Sequence, residues 1–419
     1  MIRLLYSVLW HLALPLIGLR LLYRARKQPE YLQHLAERFG AAPLIGERPR
    51  IWLHAVSVGE TRAAQPLIKA LLAQHPQHEI LLSHMTPTGR AASGELFGKE
   101  ERVTRSYLPY DFPWAQRRFL ARARPQLGVV METEVWPNLM HAAGIAGVPM
   151  LLVNARLSAR SARGYQKLGG LARDTFARFA KVLAQTPDDA QRLATCGASG
   201  VEVTGNVKFD LELAPALLAL GAEFKAAAAG RPVILAASTR EGEEEPLLAA
   251  FSRHAPPEVL LVLVPRHPQR FNEVAARIAG QNLIYARRSA GLRIAPGTRV
   301  WLGDSMGEML AYYGMADVAI IGGSWQPLGG QNLIEACAAG APVLVGPHTF
   351  NFTEAAAKAI EAGAARRCSD LNEALQVCAA LLANGATLQA MSRAGQGFAA
   401  SNRGATARTL QTINAVLKA

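Results

Sequence analysis

The 419-residue sequence is poor in cysteine: it contains only Cys196, Cys337, Cys368 and Cys378. None of them forms a C-x-x-C pair, so the sequence predicts neither a zinc site nor a disulfide framework. Scattered cysteines of this kind favour a reducing compartment. Internal repeats and low-complexity tracts are also absent. The chain is longer than one hydrophobic core usually supports, and we expect two domains of roughly 200 residues each.

Acidic residues are few relative to basic ones. Asp and Glu number 32 against 45 Lys and Arg, which gives a formal net charge of +13 and a pI near 9.9. This balance favours an anionic partner such as nucleic acid, an acidic lipid or a phosphorylated substrate. Nucleic-acid motifs are lacking and the basic residues are dispersed, so we expect no nucleic acid among the partners. A membrane-associated binding protein without catalysis remains open.

The pattern of a removable signal peptide fits poorly, although the chain opens with an apolar run. Nearly every residue from Leu4 to Leu22 is apolar, and the run closes with the basic sequence Tyr23-Arg-Ala-Arg-Lys27. This basic cluster lies on the wrong side for a signal peptide, and no small-residue cleavage site follows. A membrane-spanning helix, an interfacial helix and a buried core helix all fit the length. We predict a membrane anchor or interfacial helix over residues 1–27, with the following domains on the cytoplasmic side.

From Arg50 onward, short apolar runs alternate with helical patterns. This alternation predicts a doubly wound parallel sheet, whose ligands bind beyond the carboxyl ends of the strands. The pattern repeats in the second half, after Asp210. We therefore predict an α/β protein of the GT-B class, with Rossmann-like domains over 28–210 and 211–419 facing each other across a cleft; the last helices are candidates to cross back to the first domain. The polar residues that follow the runs of the first half are Glu60, Thr86, Glu132, Glu134 and Asn154.

The stretch from Ala316 to Pro347 predicts one βαβ unit with a glycine-rich loop. Gly322, Gly323, Gly329 and Gly330 punctuate the segment before the helical pattern. Such a loop is either a phosphate or ribose cradle or an ordinary tight turn of a parallel sheet. The whole string resembles the donor-nucleotide helix of two-domain nucleotide-sugar glycosyltransferases.

Seven strings, in one order and spread over nearly the whole chain, carry a more specific resemblance. They are His54-Ala-Val-Ser-Val-Gly-Glu60-Thr, Met85-Thr-Pro-Thr-Gly89, Leu108-Pro-Tyr-Asp111, Met131-Glu-Thr-Glu-Val-Trp-Pro-Asn138, Asn154-Ala-Arg-Leu-Ser-Ala-Arg-Ser161, Val264-Pro-Arg-His-Pro268 and Gly346-Pro-His-Thr-Phe-Asn-Phe352. With these strings the sequence resembles the Kdo transferases, glycosyltransferase family 30. The resemblance implies an inner-membrane enzyme, acting at the cytoplasmic face, that moves Kdo from CMP-Kdo to the lipid A precursor. A GT-B transferase that uses a UDP-sugar remains the alternative.

The resemblance also implies roles for particular residues. It makes Glu60 the general base of an inverting transfer, which requires one carboxylate to accept the proton of the acceptor hydroxyl. A glutamate in the first turn of a helix is otherwise a common capping residue. Glu132, with Glu134 as the second choice, and Lys208 are implied as transition-state stabilisers. The same resemblance assigns the CMP moiety to Pro265, Arg266, Gly307, Glu308, Met309, Asn332, Leu333, Ile334 and Glu335.

We expect neither a metal nor a separate cofactor. The sequence contains no D-x-D, the aspartate pair with which metal-dependent transferases hold a nucleotide diphosphate. A joint magnesium site at Glu132 and Glu134 is disfavoured, because side chains two residues apart in an extended segment point to opposite faces. Arg266 is expected to present a bidentate fork to the donor phosphate. A basic helical face is either solvated or binds acceptor phosphates; its members are Arg156, Arg160, Arg163 and Lys167.

Overall fold

The computed structural model describes residues 2–43, 46, 48–210 and 213–418. The chain divides into two compact units, Met1–Asp210 with Arg403–Ala419 and Leu211–Asn402. Residues 403–419 therefore lie with the first unit, which differs from the predicted range 211–419 for the second domain. The physical reason is local: the carboxylate of Asp210 accepts hydrogen bonds from the backbone N–H groups of Gly404 and Thr406.

A seven-stranded parallel sheet forms the centre of the first unit, in the order β3-β2-β1-β4-β5-β6-β7. Ile51 on the first strand lies between Ile80 and Leu127 of its two neighbours. The central strands are buried throughout, as expected for a parallel sheet that helices cover on both faces. The strands are β1 (Arg50–His54), β2 (Glu79–His84), β3 (Val103–Tyr107), β4 (Leu127–Met131), β5 (Met150–Ala155), β6 (Lys181–Ala184) and β7 (Val201–Val203).

The helices of the first unit begin close to the carboxyl ends of the strands. Ser57, Thr86 and Thr186 each follow a strand and accept a backbone N–H with their side-chain oxygens, which starts the next helix. Polar side chains therefore collect at this edge of the sheet. The helices are α1 (Ile2–Leu12), α2 (Leu14–Ala25), α3 (Val58–Gln74), α4 (Pro87–Phe97), α5 (Pro113–Ala123), α6 (Pro137–Ile145), α7 (Ala159–Lys167), α8 (Gly170–Phe176) and α9 (Pro187–Thr195).

The second unit repeats the architecture with the strand order β10-β11-β9-β8-β12-β13-β14, again all parallel. The predicted class, α/β with two Rossmann-like domains, is confirmed. The strands are β8 (Val233–Thr239), β9 (Leu260–Pro265), β10 (Tyr285–Arg287), β11 (Val300–Leu302), β12 (Val318–Ile321), β13 (Val343–Val345) and β14 (Ala365–Arg367). The helices are α10 (Pro215–Ala227), α11 (Glu244–His254), α12 (Phe271–Gly280), α13 (Met309–Met315), α14 (Ile334–Ala338), α15 (Thr353–Glu361), α16 (Leu371–Ala383) and α17 (Gly385–Ser401); α18 (Ala405–Lys418) then packs on α3 of the first unit.

On the buried side of the N-terminal segment, Tyr6 and Ser7 make polar contacts, whereas most of the apolar side chains of the segment are exposed. Tyr6 Oη donates to the Asp111 carboxylate (3.0 Å), and Ser7 Oγ donates to Asn138 Oδ1 (2.9 Å). Trp10 packs edge-on against Phe112, with ring centroids 5.6 Å apart. The opposite face is exposed to solvent and consists of Ile2, Leu4, Leu5, Val8, Leu9, Leu12, Leu14, Leu16, Leu19 and Leu22.

These contacts correct the prediction that residues 1–27 form a separate element, because the segment belongs to the first unit. The helices α1 and α2 meet at an angle of 48°. Within the described part of the chain, no single helix is long and apolar enough to cross a membrane; α1 with α2, and α16 with the helical stretch after it, pass the length and composition criteria only as bent pairs.

Candidate active site

Glu60 lies one turn into α3, directly beyond the carboxyl end of β1. Its Oε2 accepts the backbone N–H of Val56 (2.8 Å), and its Oε1 accepts the hydroxyl of Ser57 (3.1 Å). Ser57 in turn caps the helix by accepting the N–H of Glu60. The capping role that the sequence left open is therefore present. Each carboxylate oxygen carries a second lone pair, so capping does not prevent the side chain from accepting a proton.

The environment of Glu60 makes it a stronger base than an ordinary carboxylate. Burial, followed by the negative charge of Glu132, raises the pKa of Glu60 from 4.5 to about 7. The charge of Glu134 acts in the same direction. A pKa near neutrality is the value at which a general base is most effective in this pH range.

Glu132 follows β4 in an unusual backbone conformation. Its φ is 58°, in the left-handed region that a residue with a Cβ rarely adopts. Its Oε1 accepts from Lys208 Nζ at 3.0 Å, and both side chains are about one-fifth exposed (Glu132 19%, Lys208 22%). Strain of this kind costs on the order of 1–3 kcal/mol and occurs mainly at functional sites. The structure thus brings together two residues that are 76 positions apart in the sequence.

Glu134 has a partner different from that of Glu132. Its Oε2 accepts the indole N–H of Trp136 at 2.8 Å, and burial raises its pKa. The two carboxylates therefore have different partners, although residues 132 and 133 form a turn and not the extended segment that the spacing argument assumed. Within the described ranges, no group of three or more His, Cys, Asp or Glu side chains is arranged to hold a metal ion.

Asn154 positions the loop that carries Lys208. This buried residue at the end of β5 also has a positive φ, 51°. Its Oδ1 accepts the backbone N–H of Val207 (3.1 Å), at the start of the 3-10 turn Val207–Phe209. Thr86, by contrast, caps α4 and donates to the carbonyl of Val56 (3.1 Å), so its contacts are structural.

In the second unit, the predicted donor residues follow β9, β11 and β12 and therefore share the carboxyl edge of one sheet. Glu308 accepts from Arg288 Nη2 at 2.9 Å and from the hydroxyl of Ser305. Pro265, Leu333 and Ile334 are buried, so only their main-chain atoms are suited to contact a ligand. Asn332 precedes the five-residue helix α14; its Oδ1 accepts the backbone N–H of Ile334 (3.0 Å) and its Nδ2 donates to Glu335 Oε1 (2.9 Å).

The glycine-rich loop after β12 is held by a residue that the sequence interpretation missed. Both oxygens of the buried Glu243 accept loop amides, those of Gly323 (2.8 Å) and Trp325 (3.1 Å). These two amides are consequently not available to a phosphate, so this part of the loop does not form the phosphate cradle that was one of the two predicted alternatives. A Cβ on Gly322 would collide with the backbone of Ser238, so close packing of β12 against β8 explains this glycine. Four glutamates shortly after β8, Glu241 and Glu243 to Glu245, were the available signal for Glu243.

Comparisons with known proteins find relatives that align with nearly the whole chain. Residues 33–211 match the family model described as 3-deoxy-D-manno-octulosonic-acid transferase (kdotransferase). The chain is 51% identical to the 3-deoxy-D-manno-octulosonic acid transferase of Bordetella pertussis over 412 residues, covering 95% of this chain and 96% of the relative. The enzyme of the same name from Haemophilus influenzae is 37% identical over 429 residues, 99% of each chain.

Solved structures with low sequence identity share the fold. A glycosyltransferase from Rickettsia africae has a TM-score of 0.59 at 15% identity, over 89% of this chain and all (100%) of that one. The S. aureus MnaA-UDP co-structure has a TM-score of 0.55 at 17% identity, over 88% and 97% of the two chains. The sequence relationship over almost the full length decides the family: the chain belongs to the Kdo transferases, which are glycosyltransferases.

Proposed function

We propose that this Kdo transferase is an inverting enzyme that moves Kdo from CMP-Kdo to the lipid A precursor, lipid IVA, with Glu60 as the general base. The observation that carries the proposal is the Glu60 carboxylate, with a pKa of about 7, beside the ion pair of Glu132 and Lys208. In a single displacement, the acceptor oxygen attacks the anomeric carbon of Kdo. The bond from that carbon to the phosphate oxygen breaks, CMP leaves with the electron pair, and the hydroxyl proton passes to Glu60.

The donor side of the proposal rests on the second unit. Arg266 follows β9, and Glu308 and Glu335 lie at the starts of the helices that follow β11 and β12. The guanidinium of Arg266 is suited to bind the phosphate, and Glu335 is suited to accept from ribose hydroxyls. Lys208 would stabilise the charge that develops as CMP departs.

A location at the cytoplasmic face of the inner membrane is supported by the exposed apolar face of α1 and α2. Eight of its side chains are leucines, and Leu4, Leu12 and Leu16 are each at least two-thirds exposed (68%, 70% and 67%). An apolar helical face of this size favours insertion into the boundary between lipid headgroups and acyl chains. The net charge of +13 favours an anionic surface.

The direct test is mass spectrometry of the product formed from CMP-Kdo and lipid IVA, with binding of CMP and UDP measured in parallel. We expect a product heavier than the acceptor by at least one Kdo residue, and binding of CMP but not of UDP. Preferential binding of UDP would support the UDP-sugar alternative, whereas no turnover with any donor would support a binding protein.

Replacing Lys208 by methionine should lower kcat by about 10²–10³-fold, because a preorganised charge opposite the developing phosphate charge is lost. Lys208→Arg should recover part of the rate. The control is Lys181→Met, which breaks an exposed Lys–Glu pair of the same unit (2.6 Å to Glu202) and should leave kcat unchanged. A similar small effect in both methionine variants would argue against a catalytic role.

Removing the hydroxyl of Ser57 should shift the pH dependence of transfer. The Ser57 hydrogen bond lowers the pKa of Glu60, so Ser57→Ala should raise the midpoint of the rate–pH profile above that of the wild type. Loss of the helix cap should also cost roughly 1 kcal/mol of stability. Rate–pH profiles and urea titrations of both proteins test this, and a midpoint shift to lower pH would contradict it.

Transfer should not require a divalent metal. Glu132 is paired with Lys208 and Glu134 is bonded to Trp136, and CMP-Kdo carries a single phosphate whose charge fixed donors can neutralise. The measurement is transfer by purified enzyme in defined detergent with excess EDTA, for which we expect an unchanged rate. Loss of activity that magnesium restores would refute this prediction.

A further inference from the structure

A cleft of about 350 Å³ lies in the first unit between the inner face of α2 and the loops after β1, β2 and β4. Trp10 and Trp136 form part of its wall, and Glu134 and Val56 lie on it as well. The backbone N–H of Val56 donates to Glu60. The cleft, named here the Arg38 cleft, therefore adjoins the proposed catalytic carboxylates.

Arg38 is the most informative residue of the cleft wall. Its side chain is 1% exposed, and Nη1 donates to the carbonyl of Met85 (3.2 Å). Within the described part of the chain, Nε and Nη2 make no hydrogen bond of good geometry. The guanidinium instead lies over the Tyr107 ring, 3.9 Å from its centroid, and it opposes the increase that burial causes in the pKa of Tyr107 and of Tyr110. The neighbouring Glu37 does not neutralise this charge, because its carboxylate is bonded to Arg90 (2.7 Å) and to the N–H of Tyr107 (2.8 Å). These aromatic contacts offset part of the cost of burying the guanidinium, and an anion bound in the cleft would satisfy its remaining donors.

Two further arginines extend from α2 into the same cleft. Arg20 and Arg24 are one helical turn apart and both line it. Arg24 is fixed by Tyr31, whose hydroxyl accepts from Nη1 at 3.2 Å. The charges of Arg20, Arg24 and Arg38 all act on Tyr110, where they oppose the increase in its pKa that burial causes. Three guanidinium groups therefore surround one small volume.

The remaining wall is apolar and includes Trp10, Ile17, Leu21, Met85 and Trp136. The combination of converging guanidinium groups with an aromatic and aliphatic wall suits an amphiphile that carries a phosphate. The basic residues of α7 and of the turn before it do not line the cleft and belong to a different surface.

We propose that the Arg38 cleft binds a phosphomonoester of the sugar-lipid acceptor through Arg20, Arg24 and Arg38. Helix α2 then forms one wall of the acceptor site, in addition to any contact it makes with a bilayer. This inference rests on the proposed function, since it assumes that the acceptor is a phosphorylated glycolipid. Its consequence is that acceptors are selected by their phosphate groups before transfer.

The test compares two double variants of the full chain. Arg20→Gln/Arg24→Gln removes two cleft charges, and Arg26→Gln/Lys27→Gln removes two exposed charges of the same segment that do not line the cleft. Transfer is measured in detergent with the tetraacyl disaccharide bisphosphate and with its dephosphorylated form. The cleft variant should raise KM for the phosphorylated acceptor at least tenfold with little change in kcat, and should leave KM for the dephosphorylated acceptor unchanged. The control should change neither KM value.

Binding without turnover separates this inference from the proposed function. Trp10 and Trp136 line the cleft, so the bisphosphate should change tryptophan fluorescence even without a donor, and the cleft variant should weaken this response. Such binding without Kdo transfer would refute the proposed function and leave the cleft assignment intact. An unchanged KM and unchanged fluorescence titration in the cleft variant would overturn the assignment. The assignment would also be overturned if the cleft variant bound phosphatidylglycerol vesicles more weakly but bound the bisphosphate acceptor normally. That result would identify a general contact with lipid headgroups.

Discussion

Replacing Glu60 by glutamine should reduce the rate of Kdo transfer at least about a hundredfold, the lower end of what general-base catalysis contributes. Glutamine has nearly the same shape and keeps one acceptor oxygen for the N–H of Val56, but it cannot accept the proton of the acceptor hydroxyl. CMP binding should stay normal, since the proposed donor residues belong to the second unit. Single-turnover transfer and CMP titration measure the two quantities separately.

The pH dependence provides a second readout of Glu60. Because burial and the Glu132 charge raise its pKa to about 7, the base is protonated below that pH and ionised above it. The wild-type kcat should therefore rise as pH increases through about 7, and the glutamine variant should lack this step. A variant that keeps more than a hundredth of the wild-type rate, or retains the same pH step, would contradict base catalysis by Glu60.

Replacing Asp111 by alanine should cause the largest loss of stability, about 3–5 kcal/mol in the first unit. The fully buried carboxylate accepts the backbone N–H groups of Asn138 (2.9 Å) and Leu139 (2.8 Å), and the hydroxyl of Tyr6 (3.0 Å). Alanine would leave these donors buried without an acceptor, and each such group costs roughly 1–3 kcal/mol. The start of α6 and the docking of α1 depend on this single side chain.

Hydrogen exchange at the amides of Asn138 and Leu139, together with urea unfolding, tests the Asp111 prediction. Exchange should accelerate in Asp111→Ala, and limited proteolysis after Arg20 or Arg24 should become faster as α1 detaches. The matched control is Asp174→Ala, which removes an exposed aspartate from α8 of the same unit. Equal unfolding midpoints for the two variants would show that Asp111 does not contribute this stability.

The proposed catalytic carboxylates show which features could be predicted from the sequence and which could not. The strand-and-helix alternation predicted both sheets, because the periodicity of apolar residues is a local property. It also predicted that Glu60, Glu132 and Glu134 follow strands, and parallel strands bring such residues to one edge. The pairing of Glu132 with Lys208 at 3.0 Å was not predictable from spacing, since it depends on how β4 and the turn after β7 meet in space. The role of Glu243 in holding the glycine loop was missed for the same reason.

The N-terminal segment shows most clearly the difference between what the sequence determines and what only the tertiary structure determines. By itself, the sequence determined that residues 4–22 form an apolar stretch followed by basic residues, because composition and order are local. It could not decide which side of the helices is buried, since that depends on the partner surface. Only the tertiary structure decided that Tyr6 and Ser7 face inward, where Asp111 and Asn138 provide hydrogen-bond acceptors, while most of the leucines face outward. Polar groups are buried where they find hydrogen-bond partners. The partners of Tyr6 and Ser7 lie more than a hundred residues away in the chain.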